Sequence, residues 1–426
     1  MMAAPAPSRR SAVPSFYVME VMRAAAALEK EGRDVLHMEV GQPSTGAPAV
    51  ALAAASAAVA RSAAGADTLG YTCEAGVPPL RAAVAAMYAR RHALAVPLDR
   101  CFVTTGSSAA FVLTFLAAFD AGDRVAVASP GYPCYTSTLE ALGVVPVPLA
   151  VDARSNFQPT AAMLDAAVAR GGPLRGLIVA SPSNPCGTML SPAELFALRD
   201  WCRRNGCWLV SDEIYHRLCY GELRDATALE PSSRADEAAA ADALAQPPAA
   251  LGPEADHVIV INSLSKWYSM TGWRIGWCVV PPALLPGVSA LAQNLYISPP
   301  TISQHAAAAA LGEDCEAELQ GHLRRYAANR ALLLRELPRA GFTRLAPSHG
   351  AFYLYADVAH LTADSRQLAA RILAATGVAL TPGVDFDRER GRATLRFSYC
   401  GSEATVAEAA RRLVEDQSWR DDPPQQ

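Results

Sequence analysis

The chain has 426 residues, 51% hydrophobic and 18% charged, with a formal net charge of −4. That length is enough for two or three domains with large cores, and the composition excludes a disordered or collagen-like chain. The charge offers no basic field for nucleic acid, so none is expected as a partner.

Residues 1–13 are rich in Ala, Pro and Arg without the apolar core of a secretory signal. They read as a flexible tail, as do 417–426; the acid-free start also suits an organellar transit peptide. A helix is predicted over 15–31, with Val18, Val21, Met22, Ala25 and Leu28 on one face. A short strand over 35–40 ends at Gly41-Gln-Pro43. Helices over 48–64 and 79–91 flank a loop containing Leu69-Gly-Tyr71.

From residue 101 the pattern becomes strand–helix alternation. Short apolar strands are predicted at 101–104, 124–128, 144–149, 176–180, 208–211, 258–261 and 275–280, and helices at 109–119, 135–142, 161–170 and 193–205. This is the signature of an α/β fold with a mostly parallel seven-stranded sheet flanked by helices. Beyond Pro300 come helices at 301–311, 315–337 and 365–376 and strands at 352–357 and 393–399, which predict a smaller α+β domain. The division expected is a large domain over 48–300 and a small one formed by 14–47 with 301–416. Residues 230–253, rich in Ala, Pro and acids with no clear period, read as a partly disordered surface insertion. Two uncharged stretches, 101–119 and 275–304, are broken by polar residues or prolines, so no membrane span is predicted. Ten cysteines without a Cys-x-x-Cys pair or metal spacing fit a reduced, cytoplasmic protein that binds no metal.

Candidate chemistry gathers at strand ends. Gly106-Ser-Ser-Ala109 opens a helix, where backbone N–H groups and the Ser107 and Ser108 hydroxyls suit an anion; a plain helix cap is the bland alternative. Asn184, in Ser181-Pro-Ser-Asn-Pro-Cys-Gly187, offers an amide to a ligand oxygen or simply makes an Asn-Pro turn. In Ser211-Asp-Glu-Ile-Tyr215, Asp212 among hydrophobics needs a cation, either a core salt-bridge partner or a protonated ring nitrogen. Tyr215 is placed to donate to a phenolate-like oxygen. Lys266, between two apolar strands in Ser263-Leu-Ser-Lys266, is a candidate nucleophilic amine, with Arg274 eight positions on. Arg396 interrupts a strand and suits a carboxylate, or is an edge arginine. Jointly, these groups match a phosphate, a phenolic oxygen, a pyridinium nitrogen and an aldehyde, which together describe pyridoxal 5′-phosphate.

The stretch Ser263–Gly276, ending Met-Thr-Gly-Trp-Arg-Ile-Gly, with Ser-Pro-Ser-Asn-Pro-Cys-Gly-Thr188 and Ser-Asp-Glu-Ile-Tyr215 in the same order, resembles the class I/II aminotransferases of the fold-type-I pyridoxal-phosphate enzymes. The resemblance runs from about residue 14 to about 413. It implies that Lys266 forms the internal aldimine, Asp212 pairs with the pyridine nitrogen, and Asn184 and Tyr215 hold the ring oxygen. Gly106, Ser107, Ser108, Ser263, Ser265 and Arg274 become phosphate-site candidates, and Tyr132 the ring that stacks on the cofactor. Arg396, with Gly41 and Asn184, would bind the substrate carboxylate. Tyr71 would reach the phosphate of a neighbouring subunit, implying a homodimer with shared sites. The activity implied is transfer of an amino group between an L-amino acid and a 2-oxo acid. Two features depart from the pattern: Tyr132 stands where aspartate-specific relatives often have tryptophan, and residues 230–253 lengthen the spacing from Asp212 to Lys266. The rival readings are a β-lyase or cyclopropane-forming synthase on the same fold, and a non-catalytic regulator that kept the domain. A Rossmann dehydrogenase lacks its Gly-x-Gly-x-x-Gly here.

Overall fold

The computed structural model describes residues 5–221, 223–244 and 246–420. Seven strands form the large sheet: β1 (Cys101–Thr104), β2 (Arg124–Ser129), β3 (Val145–Ala150), β4 (Gly176–Ala180), β5 (Trp208–Asp212), β6 (Val258–Ser263) and β7 (Gly276–Val279). Their spatial order is β1-β7-β6-β5-β4-β2-β3. Only β7 runs antiparallel, to both β1 and β6; the other pairs are parallel.

Both faces of this sheet are covered, and the alternation of side chains shows it. Val258 and Val260 of β6 join the largest hydrophobic cluster, while Ile259 and Ile261 join a second one with Phe111, Phe115, Val210 and Cys278. All four β6 residues are fully buried, which accounts for the unbroken apolar run in the sequence. The helix Gly106–Ala118 supplies Phe111 and Phe115 to the second cluster.

A four-stranded antiparallel sheet lies beyond: Arg344–Leu345, Tyr353–Asp357, Thr394–Ser398 and Thr381–Pro382 in that order. Leu36–His37 runs parallel to Val378–Ala379, tying the start of the chain to its C-terminal part. The largest cluster extends from Leu36 to Leu413 and Trp419 and includes Phe352, Leu354 and Phe397, so both sheets share one continuous core.

The segment after β5 differs from the expected surface insertion. Glu230 and Arg234 are buried. His92 Nδ1 lies 2.9 Å from Glu230 Oε1, and Arg224 Nη2 donates to Glu230 Oε2 at 2.8 Å. Arg234 Nη1 donates to the His92 carbonyl at 2.6 Å. Beyond these anchors, Glu237–Leu244 is helical and Ala249–Ala250 pairs with Leu94–Ala95. The start of the stretch expected to be a surface insertion is therefore anchored in the protein through Glu230 and Arg234. Composition could not reveal this, because His92, which bonds to both Glu230 and Arg234, sits far back in the chain.

Candidate active site

The loops that leave the carboxyl ends of β1, β4, β5 and β6 converge on a cavity of about 290 Å³, as expected for an open α/β sheet. Its lining includes Gly41, Ser107, Ser108, Tyr132, Asn184, Asp212, Tyr215, Ser265, Lys266, Arg274 and Arg396. Eleven positions singled out by sequence thus share one space.

Lys266 sits in the hairpin loop between antiparallel β6 and β7, where Ser263 is paired with Gly276. Buried Leu264 and Met270 close the loop through the Met270 N–H to the Leu264 carbonyl. Lys266 Nζ donates to the Gly41 carbonyl at 2.7 Å. Burial is the main cause that lowers its pKa to about 8, with Arg396 and Arg274 acting in the same direction.

Asp212 ends β5 and is buried. Its Oδ1 accepts the Ile214 N–H at 3.1 Å and its Oδ2 accepts the Tyr135 hydroxyl. Burial raises its pKa to about 6, against the lowering effect of those two bonds and of Lys266. Tyr215 Oη lies 2.8 Å from Tyr353 Oη. Arg396, on the strand Thr394–Ser398, donates from Nη1 to Asn184 Oδ1 at 2.9 Å and from Nη2 to the Glu39 carbonyl. Its guanidinium lies 4.4 Å from the Tyr353 ring centre, and its buried Nε has no hydrogen-bond partner. The Arg396 side chain lines the cavity, where its positive charge suits an anion.

At the other end, the helix Gly106–Ala118 presents Ser107 and Ser108 in its first turn. Gly106 has φ +71°, and a Cβ there would lie 2.3 Å from Arg274 Nη2. Glycine lets the guanidinium close on the helix start, which combines a fixed cation with free backbone N–H groups. Gly106 thus shapes the cradle without lining it.

Two expected residues lie elsewhere. Ser263 is buried behind the loop, its Oγ accepting the Ser265 N–H at 3.2 Å, and does not line the cavity. Tyr71 is 83% exposed and does not line this chain's cavity. Sequence reasoning missed Tyr135, Tyr353, Asp385, Phe386 and the wall formed by Phe16, Val18, Met19 and Met22. Tyr135 had a signal: Pro133 fixes a helix start just after Tyr132, which brings the next tyrosine round toward Asp212.

An anion cradle, a buried acid, a depressed amine and a second anion site are a donor set that fits a phosphate-bearing pyridine aldehyde and a carboxylate substrate. Among the described residues no cluster of His, Cys, Asp and Glu suits a metal. Fold and site together define an enzyme of amino-group chemistry. The family of class I and II aminotransferases matches residues 33–413. The valine–pyruvate aminotransferase of Mycobacterium tuberculosis is 45% identical, covering 95% of this chain and 96% of that one. A crystal structure of an aminotransferase from the same organism superposes with a TM-score of 0.87 at 44% identity, over 96% and 98% of the two chains. The aspartate aminotransferase of Thermus thermophilus, solved with maleate, gives 0.83 at 28% identity, over 96% and 99%. The chain belongs to the class I and II aminotransferase family and is a transaminase of fold type I; this family works with pyridoxal phosphate.

Proposed function

We propose that this aminotransferase holds pyridoxal 5′-phosphate in the cavity and exchanges amino groups between a small apolar L-amino acid and a 2-oxo acid such as pyruvate. The observation that carries the reading is the convergence of Lys266, Asp212 and Arg396 on one cavity, with Phe16, Val18, Met19 and Met22 forming an apolar part of its wall. The valine–pyruvate activity named for the relative at 45% identity supports the substrate class.

In this reading Ser107, Ser108, Ser265 and Arg274 hold the phosphate. Tyr132 stacks on the ring, Asn184 and Tyr215 hold the ring oxygen, Asp212 faces the ring nitrogen and Lys266 takes the aldehyde. Ser263 acts only by shaping the loop. When bound, the cofactor supplies a ring that accepts the electron pair left at the substrate Cα. Asp212 keeps a proton on the ring nitrogen by offering it an anionic partner. Lys266 Nζ, with its pKa lowered to about 8, has a usable neutral fraction near neutral pH. It would take the proton from the substrate Cα and deliver it to the carbon on the far side of the amino nitrogen. Arg396 fixes the α-carboxylate, with the Gly41 backbone beside it, so that this proton lies within reach of Nζ.

Residues 48–300 form the unit that holds the cofactor, and 14–47 with 301–416 the unit that carries Arg396. Ten free cysteines suit a reducing, cytoplasmic setting. No described helix is long and apolar enough to cross a membrane.

The test is a half-reaction. Mixing the holoenzyme with L-valine or L-alanine is expected to change the cofactor absorbance and yield the matching 2-oxo acid without free ammonia. Lys266→Ala is expected to bind cofactor but lose turnover by a factor of about 10²–10⁴, the scale of a lost acid–base group. Near-normal turnover in that variant, or ammonia as the product, sinks the reading.

A further inference from the structure

Asp385 serves two neighbours at once. It lines the active-site cavity, and its carboxylate accepts the Tyr17 N–H on Oδ1 at 2.6 Å and the Val18 N–H on Oδ2 at 2.9 Å. These are N–H groups at the start of the helix Val18–Lys30, whose own N-cap position, Tyr17, makes no side-chain cap bond. An acid from the far end of the chain thus performs the capping that the local sequence lacks, with its charge at the positive end of the helix.

The same helix and its lead-in bring Phe16, Met19 and Met22 to the cavity. Phe16 packs against Tyr132 at 6.4 Å between ring centres. The rest of the helix holds on lightly: Val21 and Ala25 are its only buried residues, in a small cluster with Val35, Leu373 and Ala379. Met19 is 48% and Met22 37% exposed. With so little apolar burial to dock it, the two charge-assisted bonds from Asp385 are a large share of what holds the helix over the cavity.

The charge has a second effect. Arg388 and Arg390 stand near Asp385, but Arg388 is engaged by Glu140 at 2.6 and 2.9 Å and Arg390 by Asp387 at 2.8 Å. Among this chain's described residues, the arginines left in the cavity are Arg274 at the phosphate cradle and Arg396 at the carboxylate end. A substrate with a second carboxylate would bring it toward Asp385 and the methionines with no cation to receive it.

We propose that Asp385 is a specificity-determining residue, latching the N-terminal helix so that Met19 and Met22 wall the substrate side chain while its own charge turns away dicarboxylates. The substrates assigned are L-amino acids with short uncharged side chains and the corresponding 2-oxo acids, and the assignment rests on the aminotransferase reading above.

The experiment compares holoenzymes of the wild type, Asp385→Asn and Met22→Arg. Turnover of L-valine and L-aspartate is measured, with backbone hydrogen exchange over residues 17–30. Asp385→Asn keeps the shape and removes the charge. It is expected to speed exchange in the first turn of the helix, to raise KM for valine about tenfold with a smaller change in kcat, and to lower the valine-to-aspartate ratio of kcat/KM about tenfold. Met22→Arg, at an exposed position that leaves folding intact, is expected to raise kcat/KM for aspartate about tenfold by supplying the missing cation. An unchanged ratio in both variants overturns the proposal, and so does unchanged helix exchange in Asp385→Asn. A wild type that prefers aspartate to valine overturns it while leaving the aminotransferase reading intact; a wild type that transaminates no amino acid overturns that reading first.

Discussion

Tyr135 sets the working state of Asp212. The acid is 2% exposed, and burial pushes its pKa up to about 6 although Tyr135 and Ile214 both donate to it. A hydrogen bond to a buried charge contributes about 1.5–3 kcal/mol. Tyr135→Phe removes one such donor from the ionised form, so the carboxyl pKa rises further. The ionised form is the one proposed to hold the ring-nitrogen proton. The acid limb of the half-reaction is therefore expected to move to higher pH by about one unit or more, the equivalent of 1.36 kcal/mol per unit. Turnover falls most below neutral pH and recovers on the alkaline side. Coincident pH profiles of kcat for variant and wild type exclude this role for Tyr135. The Pro133 helix start hinted at where Tyr135 points, but its partner Asp212 lies on a distant strand, and a tyrosine in a helix reads as core unless its hydroxyl's neighbour is known.

The elements themselves were legible. The strands at 176–180 and 101–104 fall where the apolar runs placed them, because a strand buried on both faces has almost no freedom to be polar. Glycine and proline punctuation fixed the loops at 41–43 and 181–187. What the sequence hid were side chains that close an element from a distance: Asp385 on the first helix and Glu230 on His92. Burial alone would raise the Glu230 pKa, but His92 and Arg224 outweigh it and hold the carboxyl down at about 2, below its ordinary 4.5. A lowered carboxyl pKa contributes stability that is complete above 4.5 and is lost as the pH falls toward 2. Glu230→Gln is expected to cost on the order of 3 kcal/mol near neutral pH, with the gap to wild type shrinking below pH 4 in urea unfolding. Excising 236–248 removes residues that are mostly exposed among those described, and spares Glu230 and Arg234. That deletion is expected to leave cofactor absorbance intact. Equal stability losses from the two changes at neutral pH argue against Glu230 as the anchor.

At the scale of the whole molecule, Tyr71 is the residue that a single chain does not explain. It is 83% exposed. Yet its loop is not loose, since Thr301 Oγ1 donates to the neighbouring Gly70 carbonyl at 2.6 Å. Ile297, shortly before that threonine, is 51% exposed as well. We infer that this face pairs with a second copy and that Tyr71 completes the phosphate cradle across the interface. Subunit mixing tests it. Lys266→Ala kills the site in its own subunit; Tyr71→Phe weakens the site in the opposite subunit. In a mixed dimer both lesions fall on one site and the other is whole. Equal mixing after reversible dissociation is expected to restore activity to about a quarter of wild type, because half the dimers in a closed two-fold assembly are mixed and each has one intact site. Were Tyr71 to serve its own subunit, each mixed dimer would carry one lesion per site and no recovery would appear. Gel filtration that returns a monomer at working concentration removes the premise.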